Sequence, residues 1–584
     1  MNEYFKEIFY LVGEDNRKLP FMFVLFLMQT LLEILGIGLI APYIALVVDF
    51  ENSGEKFYAI TDYFNLPHFQ IDLLIFFGVI LVFTFVLKVF VAYFVNKQII
   101  NFVQEKRLDI VQRLMDRYQS LPYSEYTSRN SSEYIHRIQT LTYQFSEQVL
   151  APLMRLVSDG IIALSILIFL AFYNIYALLL LIFLLALITG SYDFMTKSRA
   201  KEGGIRANHH STKMLQYVNE GISGLKEIRI LGKEDYFFQK VKNSGRNFAE
   251  AVKSVQLLSV LPKFLLEMVL IFFIVTVVLA SSHSVEPSEV LLSTLGVFGI
   301  ASIRILPIAN LTAASVVAIR YARNGVSLLY SDCSKVDSNV EAFVDRQESL
   351  TFSRLSLSNI SYQYDSSKQK SLTDISMGIK FGETIGIIGQ SGSGKTTLVD
   401  LILGLLKPDT GRIDIDGMSL EENSTLQNWR RQIAYLPQKV FLIDASLRNN
   451  IALGIDNDDI DDNLIKSSVL KASLAGMIDT LPEGINTFVG EGGIRISGGQ
   501  AQRIALARAF YHGRNILVMD ESTSALDNKT EKEIINEIIN LKGKVTMIAI
   551  AHRLTTLKHC DRIYQLEDGA VIKVGTYDEV VKDN

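Results

Sequence analysis

Two cysteines in 584 residues, Cys333 and Cys560, lie far apart and outside any CxxC or His-rich spacing. That excludes a disulfide framework or a thiolate metal site, and both read as free thiols in a reducing compartment. A basic surplus is missing too: 57 Lys and Arg stand against 62 Asp and Glu, a formal net charge of −5. A duplex partner demands a basic face, so no nucleic acid is expected among the partners. The opening MNEYFKEIFYLVGEDNRKLP lacks a basic start followed by an apolar stretch and a small-residue cleavage site. It reads as an uncleaved, interfacial amphipathic helix with Phe5, Phe9 and Val12 toward lipid.

Apolar sequence, by contrast, is abundant. Hydrophobic residues make up 49% of the chain and the mean hydropathy is +0.24, too apolar for a wholly soluble protein. Long apolar segments fall near 20–49, 72–96, 148–173, 174–195, 256–281 and 289–318. Each approaches the ~20 residues that cross a bilayer, so six crossings are predicted. The long spacers after the second and fourth segments carry most of the loop Lys and Arg, including "NKQIINFVQEKRLDIVQRLMDR" and "TKSRAKEGGIRANHH". By the positive-inside tendency they face the cytosol, and with an even number of crossings both termini do as well. Their helical periodicity predicts helices that continue beyond the bilayer. The first outward loop interleaves Phe57, Tyr58, Ile60, Tyr63 and Phe64 with polar residues, which suits either a short external helix or an aromatic interface anchor.

From about residue 330 the composition turns to alternating strands and helices with Gly and Asp turns, an α/β pattern. Residues 389–396 match GxxxxGK[ST] between a β-type run and an amphipathic helix. Gly389, Ser391, Gly392, Ser393 and Gly394 let backbone N–H groups wrap phosphate oxygens at a helix N-terminus. Lys395 neutralises the β and γ phosphates, Thr396 reaches Mg²⁺, and Thr397 follows in the same turn. Further on, "NILVMDE" is a buried-type strand ending in Asp520 and Glu521. An aspartate there holds Mg²⁺ and a glutamate polarises the attacking water.

The segment "ISGGQAQRIALARAF", residues 496–510, resembles the signature of ATP-binding cassette (ABC) proteins, with Ile496 where leucine is commoner. Ser497 also suits a helix N-cap, so a plain helix start is the structural alternative for Ser497, Gly498, Gly499 and Gln500. Other cassette motifs follow by resemblance: Tyr364 as the aromatic that stacks on adenine, and Gln438 as the Q-loop residue that senses Mg²⁺. Asp527 matches the D-loop and His552 the switch histidine on the γ-phosphate. The resemblance implies a multidomain membrane protein: an all-α six-helix transmembrane domain of the ABC exporter fold over residues 1–330, a linker over 331–350, and an α/β P-loop nucleotide-binding domain over 351–584. It further implies a homodimer, each ATP lying between the phosphate loop of one cassette and the signature of the other. Segments near 130–139 and 219–231 would be the cytosolic turns coupling cassette to membrane.

For the cargo, three intramembrane cations stand out. Lys88, Lys263 and Arg304 fall roughly 22 to 27 Å below the outer surface at ~1.5 Å per residue. Each costs at least ~2.5–3.5 kcal/mol at mid-bilayer, which predicts a bundle interior or an aqueous cavity. Either they receive an anionic headgroup, or they pair with the acids Glu33, Asp159 and Glu267 at the same depth. Lys263 and Glu267 are four apart on one helix, as are Arg155 and Asp159, and Glu33 is the candidate counter-ion for the other two cations. "YFNLPHFQI", "LPKFLLE" and "IRILPIAN" resemble segments of bacterial lipid-linked oligosaccharide flippases. That implies outward flipping of a polyprenyl-diphosphate-linked glycan across the bacterial inner membrane, driven by ATP and Mg²⁺. The alternative is a multidrug or other lipid exporter, lipid A-like, of the same fold; a receptor-like ABC protein that only signals is the competitor from another class.

Overall fold

The computed structural model describes residues 2–13, 18–48, 70–282, 288–334, 352–364, 367, 369–520, 536, 539–550 and 557–581. It divides into two compact units, Met1–Ser120 with Ser128–Ser338, and Leu121–Thr127 with Asn339–Asn584. A short helix, Tyr123–Thr127, groups with the second unit. It lies just ahead of the 130–139 segment named as a coupling turn.

The first unit is helical. Six helices among the described residues are long and apolar enough to cross a membrane. They are built on α2 (Lys18–Val48), α3 (Gln70–Gln119), α4 (Ala151–Tyr173), α5 (Ile175–Ser223), α6 (Glu234–Ser282) and α7 (Ser288–Tyr321). The 50 residues of α3 extend about 75 Å, against a hydrocarbon core of ~30 Å, so the spacers are indeed continuations of the spans. The helical run that leads into α4 contains two π-helical stretches, Arg137–Leu141 and Ser146–Leu150. Packing of the membrane segments centres on Ile166, Leu170, Leu181, Phe273 and Phe298. Beyond them, Gly203 and Gly204 let α5 approach its neighbours closely. A Cβ on Gly204 would sit 1.9 Å from the Tyr321 carbonyl oxygen, and one on Gly203 would sit 2.4 Å from Val255.

The N-terminal helix α1 (Asn2–Val12) differs from expectation. Val12 is buried together with Tyr4, Ile8 and Leu11, while Phe5 and Phe9 are exposed. The reason is helical spacing: Val12 stands two turns from Tyr4 and joins that stripe rather than the Phe5–Phe9 face. The helix α1 is fixed to α7 and to α8 (Arg323–Ser334). Tyr4 Oη donates to the Ile319 carbonyl at 2.8 Å, and Tyr10 Oη donates to the Cys333 carbonyl at 2.9 Å. Where α8 ends, the buried Asp332 accepts from Tyr118 Oη at 2.6 Å, Arg137 Nη1 at 2.5 Å and Arg129 Nη1 at 3.3 Å.

The second unit is α/β. A four-stranded antiparallel sheet has the order β2-β1-β4-β5, from β1 (Arg354–Tyr362), β2 (Leu372–Lys380), β4 (Thr410–Ile415) and β5 (Met418–Ser419). A six-stranded sheet has the order β10-β9-β3-β8-β7-β6, comprising β3 (Thr384–Gly389), β6 (Ile433–Leu436), β7 (Ile516–Asp520), β8 (Thr546–Ile550), β9 (Arg562–Glu567) and β10 (Ala570–Gly575). All its neighbours pair in parallel except β9 and β10. Its central strands read as unbroken apolar runs because both faces are covered. Functional loops are therefore expected at the carboxyl ends of β3, β7 and β8.

Candidate nucleotide site and intramembrane charges

The phosphate loop leaves β3 at Gly389 and enters helix α9 (Lys395–Ile402). Glycine is required where the loop turns: Gly394 has φ +96°, and a Cβ there would stand 2.7 Å from the Ser371 carbonyl oxygen. At Gly389 it would stand 2.3 Å from the Leu566 oxygen. Lys395 Nζ donates to the carbonyls of Gly389 at 2.9 Å and Gln390 at 2.8 Å, which holds the ammonium over the loop. Ser393 Oγ is buried with no hydrogen-bond partner among the described residues.

An open cleft of about 1100 Å³ lies above this loop. Ser391, Gly392, Gly394, Lys395, Thr396 and Thr397 line it, together with Gln438 and Asp520. Tyr364 is half-buried, and its hydroxyl lies 3.4 Å from Thr397 Oγ1. Tyr435 Oη reaches Asp520 Oδ2 at 3.4 Å. Burial, and then the Asp520 charge, push the Asp400 carboxyl on α9 up to about 6. Sequence reasoning missed four further lining residues, Lys370, Ser371, Asp568 and Gly569, of which Ser371 and Gly569 pack against Gly394 of the loop itself. Asp568 and Gly569 form the turn between β9 and β10, a turn-type dipeptide that says nothing in sequence of a cleft.

Ser497, Gly498, Gly499 and Gln500 are not in the cleft. They open helix α10 (Gly498–Tyr511) as a capping box: Gln500 N donates to Ser497 Oγ at 3.3 Å, and Ser497 N donates to Gln500 Oε1 at 2.8 Å. Ser497 and Gly498 are exposed. Glu521, Asp527 and His552 lie outside the described residues, as does the first outward loop.

In the first unit, Glu33 joins two of the three cations. Lys88 Nζ lies 2.6 Å from Glu33 Oε2, and Arg304 Nε lies 2.9 Å from Oε1 in an ion pair that is not aligned as a hydrogen bond. The carboxylate is buried, whereas the Arg304 side chain is 42% exposed. Lys88 also sits 5.0 Å from the Phe85 ring centroid. Lys263 is exposed, and among the described residues it makes no ion pair with Glu267.

Residues 19–305 match the ABC transporter transmembrane region, and residues 372–524 match the ABC transporter family. The chain belongs to the ABC transporters. It is an exporter half-transporter, a membrane domain fused to an ABC ATPase that binds nucleotide and drives transport. An ATP-dependent lipid A-core flippase of Thiobacillus denitrificans is 28% identical over 478 residues, 81% of each chain. One from Shewanella frigidimarina is 29% identical over 503 residues, 84% of this chain and 81% of that protein. A solved structure of a bacterial Atm1-family ABC exporter with ATP bound shares the fold, with TM-score 0.79 and 20% identity over 97% of both chains.

Proposed function

We propose that this ABC exporter moves a phosphorylated amphipathic lipid, of the class handled by lipid A-core flippases, to the outer leaflet of the bacterial inner membrane. Its termini and cassette are cytosolic, and the working form is a homodimer. What carries the cargo reading is the extent of the similarity to lipid A-core flippases, which at 81–84% of the chain must run through the membrane half. It favours the lipid-exporter alternative over the polyprenyl-diphosphate-linked oligosaccharide expected from short segments. The ion cluster of Glu33, Lys88 and Arg304 suits an anionic headgroup in either case.

In this reading ATP binds with its phosphates over Gly389–Gly394, Lys395 turns from the loop carbonyls to the β and γ phosphates, and Tyr364 stacks on the base. Thr396, Gln438 and Asp520 offer oxygen donors in one cleft, which fits a hard divalent cation, and Mg²⁺ there would neutralise the phosphate charge. Glu521 orients the attacking water and His552 contacts the γ-phosphate. The exposed start of α10 completes the partner's site, because in its own chain it lies away from the cleft. Asp527 serves the same interface. Arg304, Lys88 and Lys263 engage the headgroup.

The test is flipping in proteoliposomes of fluorescent lipid A, a polyprenyl-diphosphate saccharide and a neutral apolar dye, with Glu521→Gln as the zero-transport control. ATP-dependent movement of lipid A alone supports the reading. Movement of the saccharide instead restores the oligosaccharide assignment, and movement of the dye alone overturns both. Mixing Lys395→Ala with Ser497→Arg subunits tests the dimer. Restored hydrolysis in the mixed population supports a shared site, and none overturns it.

A further inference from the structure

The ion cluster in the membrane unit is not neutral. One carboxylate, Glu33 on α2, is shared by Lys88 on α3 and Arg304 on α7, and no other acid pairs with either cation among the described residues. The sum is one surplus positive charge per chain. A buried salt bridge kept for stability alone gains nothing from an unbalanced cation, since an uncompensated charge is what makes such pairs expensive. The geometry divides the roles further. Lys88 is held inside, 13% exposed, against Glu33 and the Phe85 ring. Arg304 is 42% exposed and meets Glu33 through Nε, and among the described residues its terminal nitrogens make no hydrogen bond. One turn before Glu33 on the same face of α2, Gln29 Oε1 is also buried without a hydrogen-bond donor among the described residues. The cluster is therefore a polar site with an outward-facing guanidinium.

We infer that Glu33 sets how much negative charge this site accepts: seated between Lys88 and Arg304, it leaves room for one phosphate charge per chain. The inference rests on the proposed lipid-export reading and deepens it. Glu33 acts through its two cations, so it is a positioning and specificity residue. Without its charge the site carries two surplus positive charges and holds phosphates more tightly. With it, the headgroup competes against a resident anion that retakes the cations once the lipid leaves, which favours release over retention. The principle is that of any site in which a fixed counter-ion lowers affinity in exchange for discrimination.

The experiment is lipid-stimulated ATPase of the full-length protein in phosphatidylcholine nanodiscs, titrated with three matched probes: diphosphoryl lipid A, monophosphoryl lipid A and its dephosphorylated form. Glu33→Gln is expected to lower the half-saturating concentration of diphosphoryl lipid A by about tenfold, allowing for the solvent screening of a 42% exposed arginine. Monophosphoryl lipid A should shift less, and the dephosphorylated lipid should not shift. Glu33→Gln combined with Lys88→Gln returns the charge count to one surplus cation, so its half-saturation should rise from that of Glu33→Gln back toward the unmodified value, and a double variant that stays as tight as Glu33→Gln overturns the inference. That double variant also keeps the test open if the single one folds poorly, because it buries no unpaired lysine. An unchanged half-saturation in Glu33→Gln, or an equal shift with the dephosphorylated lipid, overturns the inference and leaves the export reading intact. An unmodified protein that no phosphorylated probe stimulates overturns the export reading, and the inference falls with it.

Discussion

Replacing Asp332 by alanine should loosen the membrane unit while leaving the cassette's own stability unchanged. The carboxylate is buried and accepts from three donors brought by different parts of the chain: Tyr118 near the end of α3, Arg129, and Arg137 in the first π-helical stretch. The Arg129 and Arg137 side chains are 21% and 15% exposed, so neither can fully rehydrate once the acid is gone. Removing one partner of a buried pair costs about 3–5 kcal/mol, and the partial access of both arginines argues for the lower end, about 3 kcal/mol. Asp332→Asn keeps an acceptor for Tyr118 but loses the charge, and should cost about 2 kcal/mol.

At roughly 2 °C per kcal/mol for a large unit, Asp332→Ala lowers the midpoint by about 6 °C. The assay is the fraction of detergent-solubilised protein that stays monodisperse after a heating series. The chain supplies its own control, because its single tryptophan, Trp429, is buried in the second unit and donates to the Ile402 carbonyl at 2.6 Å. Its fluorescence transition should stay in place. A midpoint within about 1 °C of the unmodified protein would refute the reasoning, as would an equal fall in the Trp429 transition. A coupling of about 1–3 kcal/mol in the cycle with Arg137→Ala would assign the effect to the pair itself.

Three more outcomes follow from the second unit. Gly394→Ala forces a left-handed φ and a 2.7 Å contact on the phosphate loop, so affinity for a fluorescent ATP analogue should fall more than about tenfold; retention of tight binding would contradict the loop geometry. Ser497→Asp preserves an N-cap but puts a carboxylate where phosphate is proposed to bind. Its Trp429 melting should match the unmodified protein within about 1 °C while ATPase is lost, whereas Ser497→Ala should cost about 1 kcal/mol; full ATPase in Ser497→Asp would reduce the segment to a helix start. Glu383 accepts from Arg562 Nε at 2.5 Å and Nη2 at 2.9 Å. Burial raises its pKa, but the bonds from Arg562 and the Lys380 N–H outweigh burial and hold the carboxyl below its ordinary 4.5. The stabilisation is therefore present above pH 4.5 and lost as the pH falls through the lowered value. Glu383→Gln should cost about 1 kcal/mol at pH 7, discounted for the exposed arginine, and the difference should vanish in acid; a pH-independent difference would deny the ion pair.

The spans and the phosphate loop were legible because each is a local pattern: an apolar run of bilayer length, and glycines at fixed offsets between a strand and a helix. The partner of Arg304 was only half legible. Glu33 stood at the right depth, but nothing in a one-dimensional depth count says that one carboxylate serves both Lys88 and Arg304 while Lys263 is left exposed. Asp332 carried no signal at all. It sits in "LLYSDCSK", an ordinary amphipathic end, and its importance comes from cations contributed by Arg129 and Arg137. The π-helical stretches were also invisible, since their residues are those of any helix. The Lys370 and Asp568 part of the cleft lining escaped because these residues come from loops far apart in sequence that only the folded sheets bring together.

The two charge clusters of the membrane unit share their supports, and this constrains how the unit can move. Lys88 and Tyr118 both belong to α3, about 45 Å apart at ~1.5 Å per residue, and between them α3 contains no proline or glycine. Sharp bends in helices need such residues or an inserted group, so this part of α3 behaves as a stiff strut between the Glu33 cluster and the Asp332 cluster. The other route joins the same clusters through α7 and α8, from Arg304 to Asp332, and it contains Pro307, one turn after Arg304. Proline removes a helical hydrogen bond and crowds the preceding turn. Suppose, then, that a headgroup draws Arg304 away from Glu33 while Asp332 keeps its partners. The displacement has to be absorbed in α7 near Pro307 or at its junction with α8, because α3 cannot bend to follow it.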